Sequence, residues 1–198
     1  EGNQEPDDAL SLDGGRLWVH VADLAALVRP GSAADLEARA RGATLFLPEG
    51  TVPMVPWDAI RRLGLGLTDI SPALSFGLDL DAAGEIADLE VLPSWVRVTR
   101  LTYAEANARL AEEPLAGLHR LALACRSRRE ARGAVSIELP EVKIGVEGDE
   151  VMIRPVLPLK SRELVTEAML MAGEAVARYA IAQQISLPFT TQDPPEMD

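Results

Sequence analysis

The stretch DALSL, Asp13-Gly14-Gly15, RLWVHVAD constrains the fold of this chain more than any other. A Gly-rich turn between two runs suited to a pleated surface predicts a β-hairpin. Leu17, Val19 and Val21 alternate with Trp18, His20 and Ala22. Successive strand residues point to opposite faces. Both faces therefore carry apolar residues, and this strand is expected to lie centrally. From Ser71 to Leu101 the β pattern returns as LSFGLDLD, a turn at Asp81 to Gly84, and IADLEVLPSWVRVTRL. VSIEL, VKIGV and VMIRPVL predict three short strands, the last two joined by Glu147-Gly148-Asp149.

Helices interleave with these strands. Ser32 is a candidate N-cap with Asp35 three residues on, and Gly42 is a plausible stop. Tyr103 to Glu112 and Pro114 to Arg129 predict two helices, proline being well placed at a first helical position. Leu164, Ala168, Met171, Ala172 and Val176 keep helical spacing within a long helix from Glu163 to Gln183. LFLPEGTVPMVPW, with three prolines between Pro48 and Pro56, predicts an ordered loop. No internal repeat or low-complexity linker divides the chain. The expectation is one domain over residues 1–198 with an α+β fold, a mixed, mainly antiparallel sheet flanked by helices.

Composition narrows the class. Of 198 residues, 47% are hydrophobic, enough to build a core without staples. The lone cysteine, Cys125, excludes an internal disulfide framework and points to a reducing compartment, so a cytoplasmic location is expected. No apolar run reaches membrane-spanning length. With 31 acidic and 19 basic residues the net charge is −12, which argues against a general basic coat for nucleic acid. The chain begins without Met and closes on PPEMD, so it reads as a piece of a longer protein, cut at both ends.

The sharpest chemical feature is Glu5-Pro6-Asp7-Asp8, immediately before the first strand. Carboxylates at this density repel, and at least one should titrate high unless a cation is present. Hard divalent ions such as Mg²⁺ prefer oxygen ligands. Pro6 restricts Glu5 toward extended backbone. Taken alone, EPDD reads first as a frayed, solvated acidic terminus, since short acidic runs usually lie on the surface. Asp7 and Asp8 should point apart if extended, so direct ligation by both requires a bend or bulge.

The flanking sequence adds context. EPDDALSL, LWVHVADLAALVRPGSAADLEARARGATLFLPEGTVPMVP, LTYAEA, RGAVSIELPEVKI, SRELVTEAMLMAGEAVARY and FTTQDPPEMD, in this order, resemble the catalytic domain of the ribonuclease II / ribonuclease R family. The resemblance runs over nearly the whole chain. It implies a Mg²⁺-dependent hydrolytic 3′→5′ exoribonuclease, working with one or two ions on single-stranded RNA and releasing nucleoside 5′-monophosphates. An RNA-binding homologue with reduced or lost catalysis is the alternative. It further implies flanking RNA-binding domains in the parent chain; a monomer is expected.

In this resemblance Glu5, Asp7 and Asp8 take the places of the last three of four metal-binding aspartates, Glu5 departing from the usual Asp. The first aspartate and an arginine near the scissile phosphate would lie outside residues 1–198. Phe46 and Tyr103 stand where aromatic rings stack on nucleotides, though core packing is open for both. Glu167 stands near the place of the 3′-terminal nucleotide, where a carboxylate can accept hydrogen bonds from ribose hydroxyls. A solvated polar stripe of Glu163, Glu167, Glu174 and Arg178, with Glu174–Arg178 as an i,i+4 pair, is equally open. Ile137 and Gly173 replace a family phenylalanine and asparagine. Arg126, Arg128, Arg129 and Arg132 form the densest basic stretch, read as a solvated helix end or a phosphate contact. His20 is expected to be structural, and Cys125 a small buried hydrophobe.

Overall fold

The computed structural model describes residues 5–137, 139–148 and 150–191. In chain order, its elements are β1 (Asp8–Asp13), β2 (Arg16–Ala22), α1 (Ala33–Arg41), β3 (Leu45–Leu47), β4 (Gly50–Val52) and α2 (Trp57–Leu63). There follow β5 (Ser71–Leu80), β6 (Ile86–Val96), α3 (Tyr103–Ala108), α4 (Leu115–Ala131), β7 (Val142–Glu147), β8 (Glu150–Pro155) and α5 (Lys160–Gln183).

The Gly-turn hairpin forms as expected, and β2 is central in an antiparallel sheet of order β1-β2-β5-β6. Leu17, Val19 and Leu78 on one face are sealed against Leu118, Ala122 and Cys125 of α4 and Leu164, Ala168 and Met171 of α5. Each large apolar side chain buried this way contributes roughly 1.5–3 kcal/mol. Gly117 lets α4 approach β1, since a Cβ there would collide with Leu12. Cys125 is buried against Met171, and burial pushes its thiol up to about 11, as suits an inert core residue.

On the other face, Trp18 lies over its register partner Gly77, where a Cβ would come within 2.7 Å of the indole. Beside it His20 bridges Ser11 (2.9 Å) and Ser75 (2.7 Å), and Ser75 continues to Ser94. One hydrogen-bonded chain thus crosses all four strands. Burial lowers the pKa of His20, so the neutral ring that can both donate and accept is favoured there.

Ser32 caps α1 by accepting from Asp35, and Gly42 closes it at φ 74°. Other expectations need correction. The proline-containing loop holds two short strands, β3 and β4, because Leu45–Leu47 pairs with Gly50–Val52 between the prolines. Helix α2 was not foreseen; it begins directly after Pro56, whose carbonyl accepts from Ala59 and Ile60. The second long strand ends at Val96 rather than Leu101. VSIEL has no strand among its described residues; Glu138 lies outside them, as do Asp149 of the expected turn and residues 192–198 of the last quoted motif.

The arginine stretch on α4 is neither a solvated end nor an open phosphate site. Arg126 pairs with Glu163, Arg129 with Glu167, and Arg128 and Arg132 with Glu174 and Glu85. Arg128 is buried. The acidic stripe of α5 faces α4, so the two helices are joined by an ion-pair ladder. The expected Glu174–Arg178 pair is present at one end of it.

Candidate active site

The acidic segment is pinned by its backbone. The Pro6 carbonyl accepts from the Leu65 amide (2.7 Å) and the Asp7 carbonyl from Ala22 (2.8 Å), tying it to the connection after α2 and the end of β2. Pro6 is buried, Asp7 exposed, and Asp8 half-buried as the first residue of β1. Burial and then the neighbouring Asp7 charge raise the pKa of Asp8, and the same two causes raise that of Glu5. The mutual repulsion expected of EPDD is therefore present in the folded chain.

Asp7 and Asp8 do diverge. Glu5 and Asp7 border a pocket of about 250 Å³ walled by Met54, Ile60 and Leu63. Asp8 borders a separate cleft of about 1340 Å³. Pro6 lines both, and the Asp7 charge still acts on Asp8. Among the described residues, no group of three or more His, Cys, Asp and Glu is placed to hold a metal ion. What is present is three neighbouring acids, with the Asp7 charge felt at both Glu5 and Asp8. An all-oxygen donor set under mutual repulsion suits a hard divalent cation completed by water or further acids.

The large cleft has the opposite charge balance from the whole chain. Six basic side chains line it, Arg97, Arg100, Arg109, Lys143, Arg154 and Arg162, against three acids, Asp8, Glu105 and Glu113. Arg97, Arg109 and Arg154 also hold Asp69, Glu112 and Glu147. None of these bases was singled out in sequence, because they come from β6's extension, α3, the β7–β8 hairpin and α5 and show no local pattern.

Tyr103 lines this cleft, 39% exposed, at the first turn of α3. A capping box between Thr102 and Glu105 fixes that turn. The Arg162 guanidinium lies over the Tyr103 ring, 4.3 Å from its centroid. Phe46 is 75% exposed on the β3–β4 hairpin, which removes core packing as its role, and it borders neither hollow. Ile137 is likewise exposed, and Gly173 faces open space. Glu167 does not join the cleft. It is 5% exposed, and its two carboxylate oxygens accept from Arg129 at 3.1 and 2.5 Å. Both oxygens are thus engaged in the ladder, and burial, rather than a lack of lone pairs, keeps the carboxylate away from a strand in the cleft.

An antiparallel sheet backed by helices, with an acidic segment whose Asp8 borders a cleft lined by six bases, defines the class of protein. The chain belongs to the RNB domain family, whose model matches residues 1–198. An uncharacterized ribonuclease of Synechocystis is 41% identical over 100% of the chain, and the chloroplastic/mitochondrial ribonuclease II of Arabidopsis thaliana is 36% identical over 98%. The chain spans 32% and 26% of those relatives. RNase R of Mycoplasma genitalium, solved in complex with ribose-methylated single-stranded RNA, has the same fold with a TM-score of 0.82 at 21% identity, over 92% of this chain and 31% of that one.

Proposed function

We propose that this chain forms part of the catalytic domain of a Mg²⁺-dependent 3′→5′ exoribonuclease that hydrolyses single-stranded RNA to nucleoside 5′-monophosphates. The observation that carries the reading is the placement of Asp8, next to Asp7 and with its pKa raised, on the lining of a cleft whose bases outnumber its acids in an otherwise acidic chain. The family membership supports the same reaction class.

In this reading Asp7 and Asp8 hold the cation, with Glu5 alongside, and the segment's backbone bonds keep their oxygens fixed. When bound, one or two Mg²⁺ ions supply an activated water and charge neutralisation at the phosphate and leaving oxygen. Tyr103 offers a ring for nucleobase stacking that tolerates any base, and Phe46 does so from the exposed hairpin. The basic lining draws the strand's phosphates into the cleft. Flanking RNA-binding domains, a monomeric state and a cytoplasmic location belong to the same proposal.

The test uses the full-length protein, Mg²⁺ and a 5′-labelled single-stranded RNA. Stepwise shortening from the 3′ end, abolished in Asp8→Asn with RNA affinity retained, is the expected result. Unchanged turnover in Asp8→Asn would sink the assigned mechanism. A second reading, RNA binding without hydrolysis, is favoured by the lack of a three-acid metal group among the described residues. It predicts tight RNA binding with no shortening at any Mg²⁺ concentration.

A further inference from the structure

Thirteen arginines of the chain hold a carboxylate among the described residues. Arg162 has no such partner there, although acids exceed bases 31 to 19 in the sequence. Among the described residues, the side chain's one interaction is with the Tyr103 ring. This pairing is firmly mounted. Ser161, itself 3% exposed, donates its hydroxyl to the Tyr103 carbonyl at 2.7 Å and locks the start of α5 onto the start of α3. Tyr103 and Arg162 both line the cleft that Asp8 borders.

A guanidinium held over an aromatic ring keeps its N–H donors around its edge, where they can fork onto an oxyanion. Stacking removes much of the rotamer freedom that a long side chain would otherwise lose on binding. An unneutralised, preorganised guanidinium in a cleft is a receptor for a phosphate, not a structural ion pair. We propose that Arg162 binds a backbone phosphate of the RNA strand in this cleft, and that Tyr103 serves it as a platform as well as stacking on a base. The proposal rests on the reading of the cleft as an RNA site.

The experiment measures binding of the full-length protein to fluorescein-labelled oligo(U) RNA in EDTA, by anisotropy over a salt series. Arg162→Ala should weaken binding roughly tenfold to a hundredfold, as for other charged hydrogen bonds. The slope of log K against log salt should shrink by about 0.7, the share of one phosphate on a single strand. Arg162→Lys should restore the slope but not the full affinity. Arg162→Gln, closer in shape, provides the same reading if the alanine variant folds poorly. Tyr103→Leu should cost less affinity in the Arg162→Ala background than in the unmodified protein, because its share as platform is already lost and only base stacking remains to lose. One methylphosphonate linkage should weaken the unmodified protein and cost Arg162→Gln nothing. Arg39→Ala on α1 should leave affinity unchanged. Binding by Arg162→Ala and Arg162→Gln within twofold of the unmodified protein, with an equal salt slope, would overturn the proposal while leaving the exoribonuclease reading standing. Failure of the unmodified protein to bind RNA at all would overturn both.

Discussion

Replacing Arg129 by methionine tests whether Glu167 serves the α4–α5 ladder. Methionine keeps most of the apolar stem and removes the guanidinium that donates to both Glu167 oxygens. The Glu167 side chain is 7% exposed and that of Arg129 34%, so the loss is asymmetric. Stripping one partner from a fully buried pair costs about 3–5 kcal/mol. Water reaching the Arg129 side reduces this to roughly 2–3 kcal/mol, the range for a buried charged group left without its partner. For a chain of this length that corresponds to a melting-temperature drop of about 4–12 °C. Urea unfolding of Arg129→Met, Glu167→Gln and the double variant measures it. Arg129→Met should be the worst of the three, and the double variant should recover part of the loss because no buried charge remains. A change below about 0.5 kcal/mol in Arg129→Met, the level of a surface pair, would refute the argument. Retained RNA affinity in Glu167→Gln would support a structural role, whereas lost affinity at unchanged stability would restore the ribose-binding role implied by the family resemblance.

His20→Gln should flatten the pH dependence of stability on the acid side. Burial lowers the His20 pKa from 6.5, so the unfolded chain takes up the proton first; stability is complete above 6.5 and declines as pH falls toward the folded value, a slope the variant should lose in urea titrations. Gly77→Ala should cost about 1–3 kcal/mol through forced displacement of Trp18, visible as a shift in tryptophan fluorescence; unchanged emission and stability would contradict the packing described.

Local signals carried the parts of the fold that are governed locally. The turn at Gly14-Gly15, the Ser32 and Gly42 caps and the apolar spacing of α5 each depend on neighbours within a few residues. Helix α2 was obscured because Pro53 and Pro56 sit just before it, and its 7 residues give too little periodicity to register. The arginines of α4 and the glutamates of α5 were visible as charged stripes, but their pairing needs the two helices to be brought together. Only Glu174–Arg178, within one helix, could be read from spacing. The carboxylates of the site were legible for the same reason as the caps, being consecutive. The basic cleft was not, since its members are distributed over four parts of the chain.

The distribution of charge also shapes how quickly a strand would arrive. The chain as a whole carries −12, while bases outnumber acids six to three along the cleft, so the negative excess lies outside the cleft. A polyanion then meets repulsion at long range and attraction only within about 8 Å of the cleft at physiological ionic strength. Association and dissociation should therefore respond to salt in the same direction. Added salt would speed encounter by screening the outer field, and would speed release by weakening the phosphate contacts inside. A strand end threads such a surface more readily than a strand middle, because fewer phosphates must cross the repulsive zone before the first one is held.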